Sequence, residues 1–379
     1  MSPPDGPLSG ITVIDCSTVI AGPGSARYLA DYGADVIKVE HPDRPDGARS
    51  MGWAHPDGGD SLWWRFIGRN KRSVTLDLKS DRGREQFLAL CGEADVVVEN
   101  FRPGTLERLG LGPEVLLDRN PALVITRVTG FGQDGPYAGR AGFATLAEAM
   151  SGFAAINGEP NGAPLLPPVA LTDEITALVG AFATMVALHS GVGQIVDVNL
   201  LESMMQVLGP LIPAAAALGY DQPRLGAGIP YSVPRGTWQT ADGKWLALST
   251  SSESVAERVM RLIGLGDDTD LRTSAGRVQR RDDVDAAVAS WVGARTLDQA
   301  MSELAEADAA AAPVLTVTEL LADPHVRHRD AVVALDGTPM QGLVARLSRT
   351  PGRLRWAGRP LGADNEAILG PTDSDTAPS

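Results

Sequence analysis

The sequence predicts an α/β protein in which a large domain built on a parallel sheet is joined to a smaller α+β domain. Three observations carry that expectation. Residues 11–40 form a strand–loop–helix–strand unit of about thirty residues, the repeating brick of parallel sheets. Two further runs, Asp95 to Glu99 and Leu123 to Val128, are apolar enough to be strands covered on both faces. Beyond residue 225 the pattern changes to a hairpin followed by helical segments.

Taken in order, residues 1–7 read as a loose tail and Ile11 to Asp15 as the first strand. Ser17 to Gly24 is a loop, Ser25 to Tyr32 a helix closed by Gly33, and Asp35 to Glu40 the second strand. Gly22-Pro-Gly24 followed by an acid ending the second strand is a partial dinucleotide fingerprint. Ser25, Ala26 and Arg27 stand where the third glycine belongs, so an NAD-dependent oxidoreductase is disfavoured. Residues 41–60 are rich in Pro, Gly and Asp and form a long loop. A strand from Ser73 to Leu78, Lys79 and a helix from Ser80 to Cys91 follow. Ligands of open α/β sheets bind beyond the carboxyl ends of the strands, so the 17–24 loop, Lys79 and the turn Asn100 to Gly104 are candidates for one crevice. The segment Thr129 to Pro136 is loop.

The stretch Pro167 to Met204 organises the rest. Thr172-Asp173-Glu174 opens a helix whose apolar residues, among them Leu178, Phe182 and Val186, predict burial on nearly every side. Gly191 and Gly193 end it, and Gln194 to Asn199 reads as a strand before another helix. Asp173 has two readings from spacing alone. It is an N-cap, or it is a carboxylate nucleophile stabilised by the helix N-terminus and able to attack an activated acyl group.

Further on, Leu225 to Pro230 is a glycine-bearing loop suited to a lid, and Thr237 to Ser249 is a hairpin turning at Asp242-Gly243. Helices are expected near 253–264, 282–293 and 297–307. The predicted organisation is a large domain over 1–205 completed by 343–379, a linker at 206–224, a small domain over 225–330 and a second linker at 331–342.

Composition bounds the function. Hydrophobic residues make up 44% and charged residues 21% of 379, as in ordinary globular proteins. With 47 acids against 33 bases the formal charge is −14, which argues against general nucleic-acid binding. Cys16 and Cys91 offer neither a disulfide framework nor metal-ligand spacing and fit a reducing compartment. The N-terminus lacks a signal-peptide pattern, and no apolar run is expected to span a bilayer, so no membrane partner is expected and a cytoplasmic protein is.

Several ordered motifs carry a resemblance. Leu8 to Asp15, Ala21-Gly-Pro23, Leu29 to Glu40, Asn70-Lys-Arg-Ser73, Leu76-Asp-Leu-Lys79, Ala94 to Gly104, Gly130 to Pro136, Asp173, Gly193 to Val198, Leu201-Glu-Ser203, Thr240 to Gly243 and Ala322 to Val326 resemble the family III CoA-transferases across roughly residues 7–370. That family contains formyl-CoA and carnitine-type CoA-transferases and the α-methylacyl-CoA racemases. The resemblance implies a Rossmann-like large domain made from both chain ends, and two chains threaded as interlocked rings in an obligate homodimer. It implies that Asp173 is the nucleophile, moving CoA from an acyl-CoA donor to a carboxylic acid acceptor through an anhydride and an aspartyl-CoA thioester. CoA is then a substrate, and no permanently bound cofactor or metal is implied.

For CoA the resemblance points to Val19, Ile20 and Ala21, to Leu76 and Lys79, and to Asn100, Phe101, Arg102, Arg108 and Leu109, with Arg140 near the pantetheine path. His41 stands where the family often has Arg, and a neutral imidazole is a weaker phosphate contact. Gly142-Phe143-Ala144 departs further. Racemases of the family carry a His followed by an Asp in this loop, and Phe143 cannot move a proton. The alternatives to a transferase are therefore a 2-methylacyl-CoA racemase or epimerase lacking its usual second proton carrier, or a non-catalytic acyl-CoA-binding paralogue. Phe-Ala also leaves an apolar pocket floor, which suggests an apolar or bulky acyl group.

Overall fold

The computed structural model describes residues 6–371; most of the expected N-terminal tail, and the end of the polar C-terminus, lie outside the described residues. The chain forms two compact units. One comprises residues up to Ser151, Pro167–Gly209 and those from His325 onward; the other comprises Gly152–Leu166 and Pro210–Pro324.

The first unit is built on strands β1 (Thr12–Asp15), β2 (Asp35–Glu40), β3 (Lys71–Thr75), β4 (Val96–Glu99), β5 (Val124–Thr129) and β6 (Gln194–Asn199). All pair in parallel, in the order β3-β2-β1-β4-β5-β6. This is the doubly wound order, with its switch point between β1 and β4, where the loops leave the sheet in opposite directions and open a crevice. Helices α1 (Ala21–Asp31), α2 (Leu62–Ile67), α3 (Asp81–Glu93), α4 (Thr105–Arg108), α5 (Pro113–Arg119) and α6 (Ala144–Met150) belong to this unit. So do α8 (Leu171–Ser190) and α9 (Leu200–Val207), while α7 (Phe153–Ile156) lies in the second. The strand pleat sends alternate residues to opposite faces. Ile14, Ile37, Val97 and Ile125 meet Phe87, Leu106 and Leu116 on one side. Val13, Val36, Val96 and Val124 meet Ala26, Leu29, Ala30 and Ala181 on the other.

Helix α8 differs from expectation in a consistent way. Its buried residues are small: Thr172, Thr176, Ala177, Gly180, Ala181, Thr184 and Ala187. A Cβ added at Gly180 would collide with Ser25, and one at Gly24 would approach the Ala177 methyl to 2.7 Å, so α1 and α8 pack backbone against backbone. The large apolar residues point away: Phe182 is 71% exposed, and Leu178 and Val186 are exposed with it. Periodicity located the helix but assigned its faces wrongly, because close approach selects small side chains for the contact. By length and composition α8 is also apolar enough to cross a bilayer, contrary to expectation. Its packing against α1, β5 and β6 makes it a core helix of the α/β unit.

Other boundaries also move. Helix α1 begins at Ala21 and so takes in Gly22-Pro-Gly24, which the sequence assigned to loop. Residues 331–342, expected as a linker, form the hairpin β10 (Val332–Leu335) and β11 (Thr338–Gln341) of the first unit. The C-terminal segment then lies along the sheet edge. Trp356 Nε1 donates to the Lys71 carbonyl at 3.0 Å, and the N–H groups of Ser73 and Thr75 donate to Asp364 and Asn365, each at 2.8 Å. The outer rim of β3 is thus satisfied by these side chains and by the Asp364 N–H, which donates to the Ser73 carbonyl at 2.9 Å, instead of by another strand.

The second unit holds the predicted hairpin as β7 (Arg235–Gln239) and β8 (Trp245–Ser249), extended by β9 (Ala310–Pro313). Its helices are α10 (Leu211–Leu218), α11 (Glu253–Leu262), α12 (Ser274–Gln279), α13 (Arg281–Gly293), α14 (Leu297–Glu306) and α15 (Val317–Ala322); α16 (Pro324–His328) leads out of it, and α17 (Asn365–Leu369) ends the first unit. The segment expected as a linker at 206–224 therefore contains α10. Leu246, Leu248, Val259, Val284, Val288 and Leu304 form this unit's core.

Beneath the β1–α1 loop lies a charge network closed to solvent. Asp15 is within 2.8 Å of Lys71 Nζ and 3.8 Å of Lys38 Nζ, and Lys38 forms a second ion pair with Asp46 at 3.1 Å. Burial pushes the Asp15 carboxyl up, but the two ammonium groups outweigh it and hold the carboxyl below its ordinary value. Burial draws Lys71 down to about 8 despite Asp15. Lys38 answers to more than one acid and, against its burial, is held protonated. Removing one member leaves uncompensated buried charge, so Asp15→Asn should cost about 3–5 kcal/mol, read as a lower denaturant midpoint. Asp35→Asn, which removes the partly exposed pair with Arg72, should change stability by less than about 1 kcal/mol in the same titration.

Candidate active site

The crevice begins at the switch point. Asn100, just beyond β4, grips the β1 loop at two points: its Oδ1 accepts from Thr18 N at 2.8 Å and its Nδ2 donates to Thr18 O at 2.7 Å. Val19 follows with φ 71°, a left-handed conformation that a β-branched residue rarely adopts. Its N–H donates to Asp46 Oδ1 at 2.9 Å. Ile20 turns its side chain into a cluster with Ala48, Trp64 and Ile67, so it offers the crevice its backbone. Ala21 is the first residue of α1. Helix starts leave N–H groups unpaired, and among the described residues those of Ile20, Ala21 and Gly22 have no acceptor.

Beside this loop, at the carboxyl ends of β1 to β4, is a cavity of about 290 Å³. His41, Leu76, Lys79, Phe101 and Leu109 from the sequence reading converge on its wall, joined by Cys16, Thr18, Arg44, Asp46 and Thr105. Its acids are already engaged: Glu40 pairs with Arg49 at 2.6 Å, Asp46 with Lys38, and Asp77 stands 3.6 Å from His41. Arg44 and Lys79 have no ion-pair partner among the described residues, which leaves two bases for a polyanion. Arg108 donates to Thr105 Oγ1 at 2.9 Å and so stands at the rim. Arg102 is exposed and not part of the wall. Arg140 stacks 3.9 Å over the Tyr137 ring, away from the cavity.

Asp173 occupies the first turn of α8 and does not cap it. The N-cap position is Ala170, which makes no side-chain capping bond, and the Asp173 carboxylate has no hydrogen-bond partner among the described residues. Burial, then the neighbouring carboxylates of Glu148 and Glu174, push its pKa up to about 6, and outweigh the helix dipole that would lower it. Glu174 is tied to Arg27 at 3.1 Å and to the Tyr28 hydroxyl at 3.0 Å. Glu148 is buried on α6, where it accepts from Thr172 Oγ1 at 2.9 Å. Ala147, its neighbour, packs with Ala21 in one apolar cluster. Helix α6 thereby ties the first turn of α1 to the first turn of α8. A larger cavity of about 1110 Å³ opens on the Glu174 side of this turn, but Asp173 is not on its wall.

Arg44, Asp46 and Glu148 escaped the sequence reading. The first two lie in a Pro- and Gly-rich stretch read only as loop, although Asp46-Gly47 is a turn signal. Glu148 lies on a helix whose short apolar pattern gave no clear period. Phe143, expected on a pocket floor, is 68% exposed at the start of α6, and its neighbour Gly142 packs against the backbone of Gly130.

Over residues 8–365 the sequence matches CoA-transferase family III. A succinyl-CoA–D-citramalate CoA-transferase of Chloroflexus aurantiacus is 37% identical over 390 residues, which is 99% of this chain and 97% of that one. A succinate–glutarate CoA-transferase of Agrobacterium fabrum is 35% identical over 96% of this chain and 95% of its own length. Among solved structures, a CAIB/BAIF family protein from Brucella suis matches with a TM-score of 0.85 at 32% identity, covering 96% of this chain and 99% of that one. The chain belongs to CoA-transferase family III and is a CoA-transferase acting between acyl-CoA and carboxylic acid substrates.

Proposed function

We propose that CoA transfer proceeds through a covalent intermediate on Asp173. The observation that carries this reading is an ionisable carboxylate, half-buried, in the first turn of a core helix and without a hydrogen-bond partner. A capping or structural aspartate would be engaged. The Asp173 oxygen attacks the donor's thioester carbonyl, the C–S bond breaks, and CoA thiolate leaves an acyl-aspartyl anhydride behind. The thiolate then attacks the aspartyl carbonyl, which releases the donor acid and forms an aspartyl-CoA thioester. The acceptor carboxylate repeats the two steps in reverse, so no ATP and no net water is consumed. Unpaired N–H groups at Ile20 and Ala21 are suited to the oxyanions of these steps, and Arg44 and Lys79 to the phosphates of CoA.

The relatives' names make succinyl-CoA the first donor to test. The homodimer is part of the same proposal. Leu178, Phe182 and Val186 form an exposed stripe along α8, and α10 has no buried residue. Apolar faces of this extent mark interfaces, and interlocked rings would cover them.

Intact mass spectrometry with a panel of acyl-CoAs should show a hydroxylamine-sensitive adduct on Asp173, absent in Asp173→Asn, together with a loss of turnover on the order of 10³-fold or more. Turnover that survives Asp173→Asn would refute the covalent reading.

The raised pKa fixes two signs. Asp173 must be ionised to attack, so kcat/KM should fall as pH drops through about 6. The folded protein holds this proton more tightly than the unfolded chain, so ionised Asp173 lowers stability at neutral pH. Asp173→Asn should therefore melt higher at pH 7.5, by the equivalent of about 1–3 kcal/mol, and lose that advantage near pH 4.

Phe182→Glu should shift the protein toward monomer or insoluble chain in analytical ultracentrifugation. An unchanged dimer would remove the α8 stripe from the interface, and a parent protein that is monomeric at micromolar concentration would remove the dimer from the proposal.

A further inference from the structure

The β1–α1 loop is held by side chains from separate places in the chain. Asp15 accepts from Ser17 N at 3.1 Å, Lys38 donates to the Ser17 carbonyl, and Lys71 donates to the Pro23 carbonyl at 2.7 Å. Asn100 brackets Thr18, and Asp46 accepts from Val19. Of these groups only Asp46 bonds the residue in the left-handed conformation. Its second oxygen is ion-paired with Lys38, and neither side chain has any solvent exposure. Asp46 Oδ1 also accepts from Ala48 N at 2.9 Å, which fixes the carboxylate's plane. The same residue forms part of the wall of the cavity on which His41, Leu76, Lys79 and Phe101 converge. A non-glycine residue stays at positive φ only where its surroundings impose it, and here the imposing group is identifiable.

We infer that Asp46 is a positioning residue for CoA transfer: by clamping Val19 in the left-handed conformation it aims the unpaired N–H groups of Ile20 and Ala21 at the thioester. Asp46 itself touches none of the reacting atoms. The inference rests on the β1–α1 loop being part of the site, a reading it shares with the proposed function, but it does not depend on the covalent role of Asp173.

The test is a double-mutant cycle on kcat/KM, with Asp46→Asn and Val19→Gly made singly and together in the full-length enzyme. Asparagine has one acceptor oxygen where the aspartate uses two, so it cannot serve both Lys38 and Val19. Glycine takes φ near 70° without being forced, so it has no need of the clamp. With Val19 present, Asp46→Asn should lower kcat/KM by about tenfold or more, mainly through kcat. In the Val19→Gly background the same change should cost less than about threefold. An equal loss in both backgrounds overturns the inference and leaves the loop in the site. No loss from any of the three variants removes the loop from the site, and the inference with it. Should Asp46→Asn fail to fold, the strain is read directly from thermal melting of Val19→Gly in the otherwise native chain. A higher melting temperature supports the clamp, and an unchanged or lower one overturns it.

Discussion

Two acids and two lysines, all without solvent exposure, underlie the geometry of the crevice. Asp15, Lys38, Asp46 and Lys71 come from β1, β2, the following loop and β3, and each also holds a backbone group of the segment Ser17 to Pro23 or the turn beside it. Desolvating four charges is costly, and apolar residues of similar volume would often be at least as stable. What the ions supply that apolar residues do not is directional hold on carbonyl and N–H groups at the start of α1. The network is therefore better explained by the conformation it enforces than by stability. The strained Val19 and the unpaired N–H groups after it both sit within its reach.

A comparable trade governs α8. Small residues let it lie directly on α1, which brings Asp173 beside Glu148 and sets its first turn against α6. The cost is a row of large apolar residues facing outward. The feature that locates the candidate nucleophile within the first unit is thus the same one that leaves Leu178, Phe182 and Val186 exposed on it.

The architecture was legible in the sequence because strands covered on both faces leave a strong signal. Asp95 to Glu99 and Leu123 to Val128 allow little else and fall within one residue of the observed strands, and Gln194 to Asn199 was placed to the residue. Asp173 was legible as a position, but its local role was not. Spacing cannot distinguish an aspartate that caps a helix from one that stands free in its first turn, since that depends on whether Ala170 or Asp173 ends up at the boundary. The faces of α8 were misread because hydrophobicity ranks residues by size and transfer energy, whereas contact at short interhelix distance selects for absence of bulk. Asp46 and Glu148 lay beyond reach for a different reason: their partners, Lys38 with Val19 and Thr172, are brought to them only by the folded chain. Several positions suggested by family resemblance did converge on one cavity, while Arg102 and Arg140 stand apart from it, a distinction no linear motif contains.

The edge of β3 has a consequence for how the protein is made. Lys71 belongs to the buried charge network, yet its strand is sealed on the outer side by Trp356, Asp364 and Asn365. The sheet's other end waits for β6, which follows residues that belong to the second unit. A ribosome would therefore release about half the chain before the β6 edge is in place, and nearly the whole of it before the β3 edge is sealed. Until then the nascent protein would expose an open strand and partly solvated charges, a state in which long-range pairing is slow and association between chains is favoured. In such a protein, the interval between synthesis of β1 and arrival of the C-terminal segment is the window in which chaperone binding would matter most.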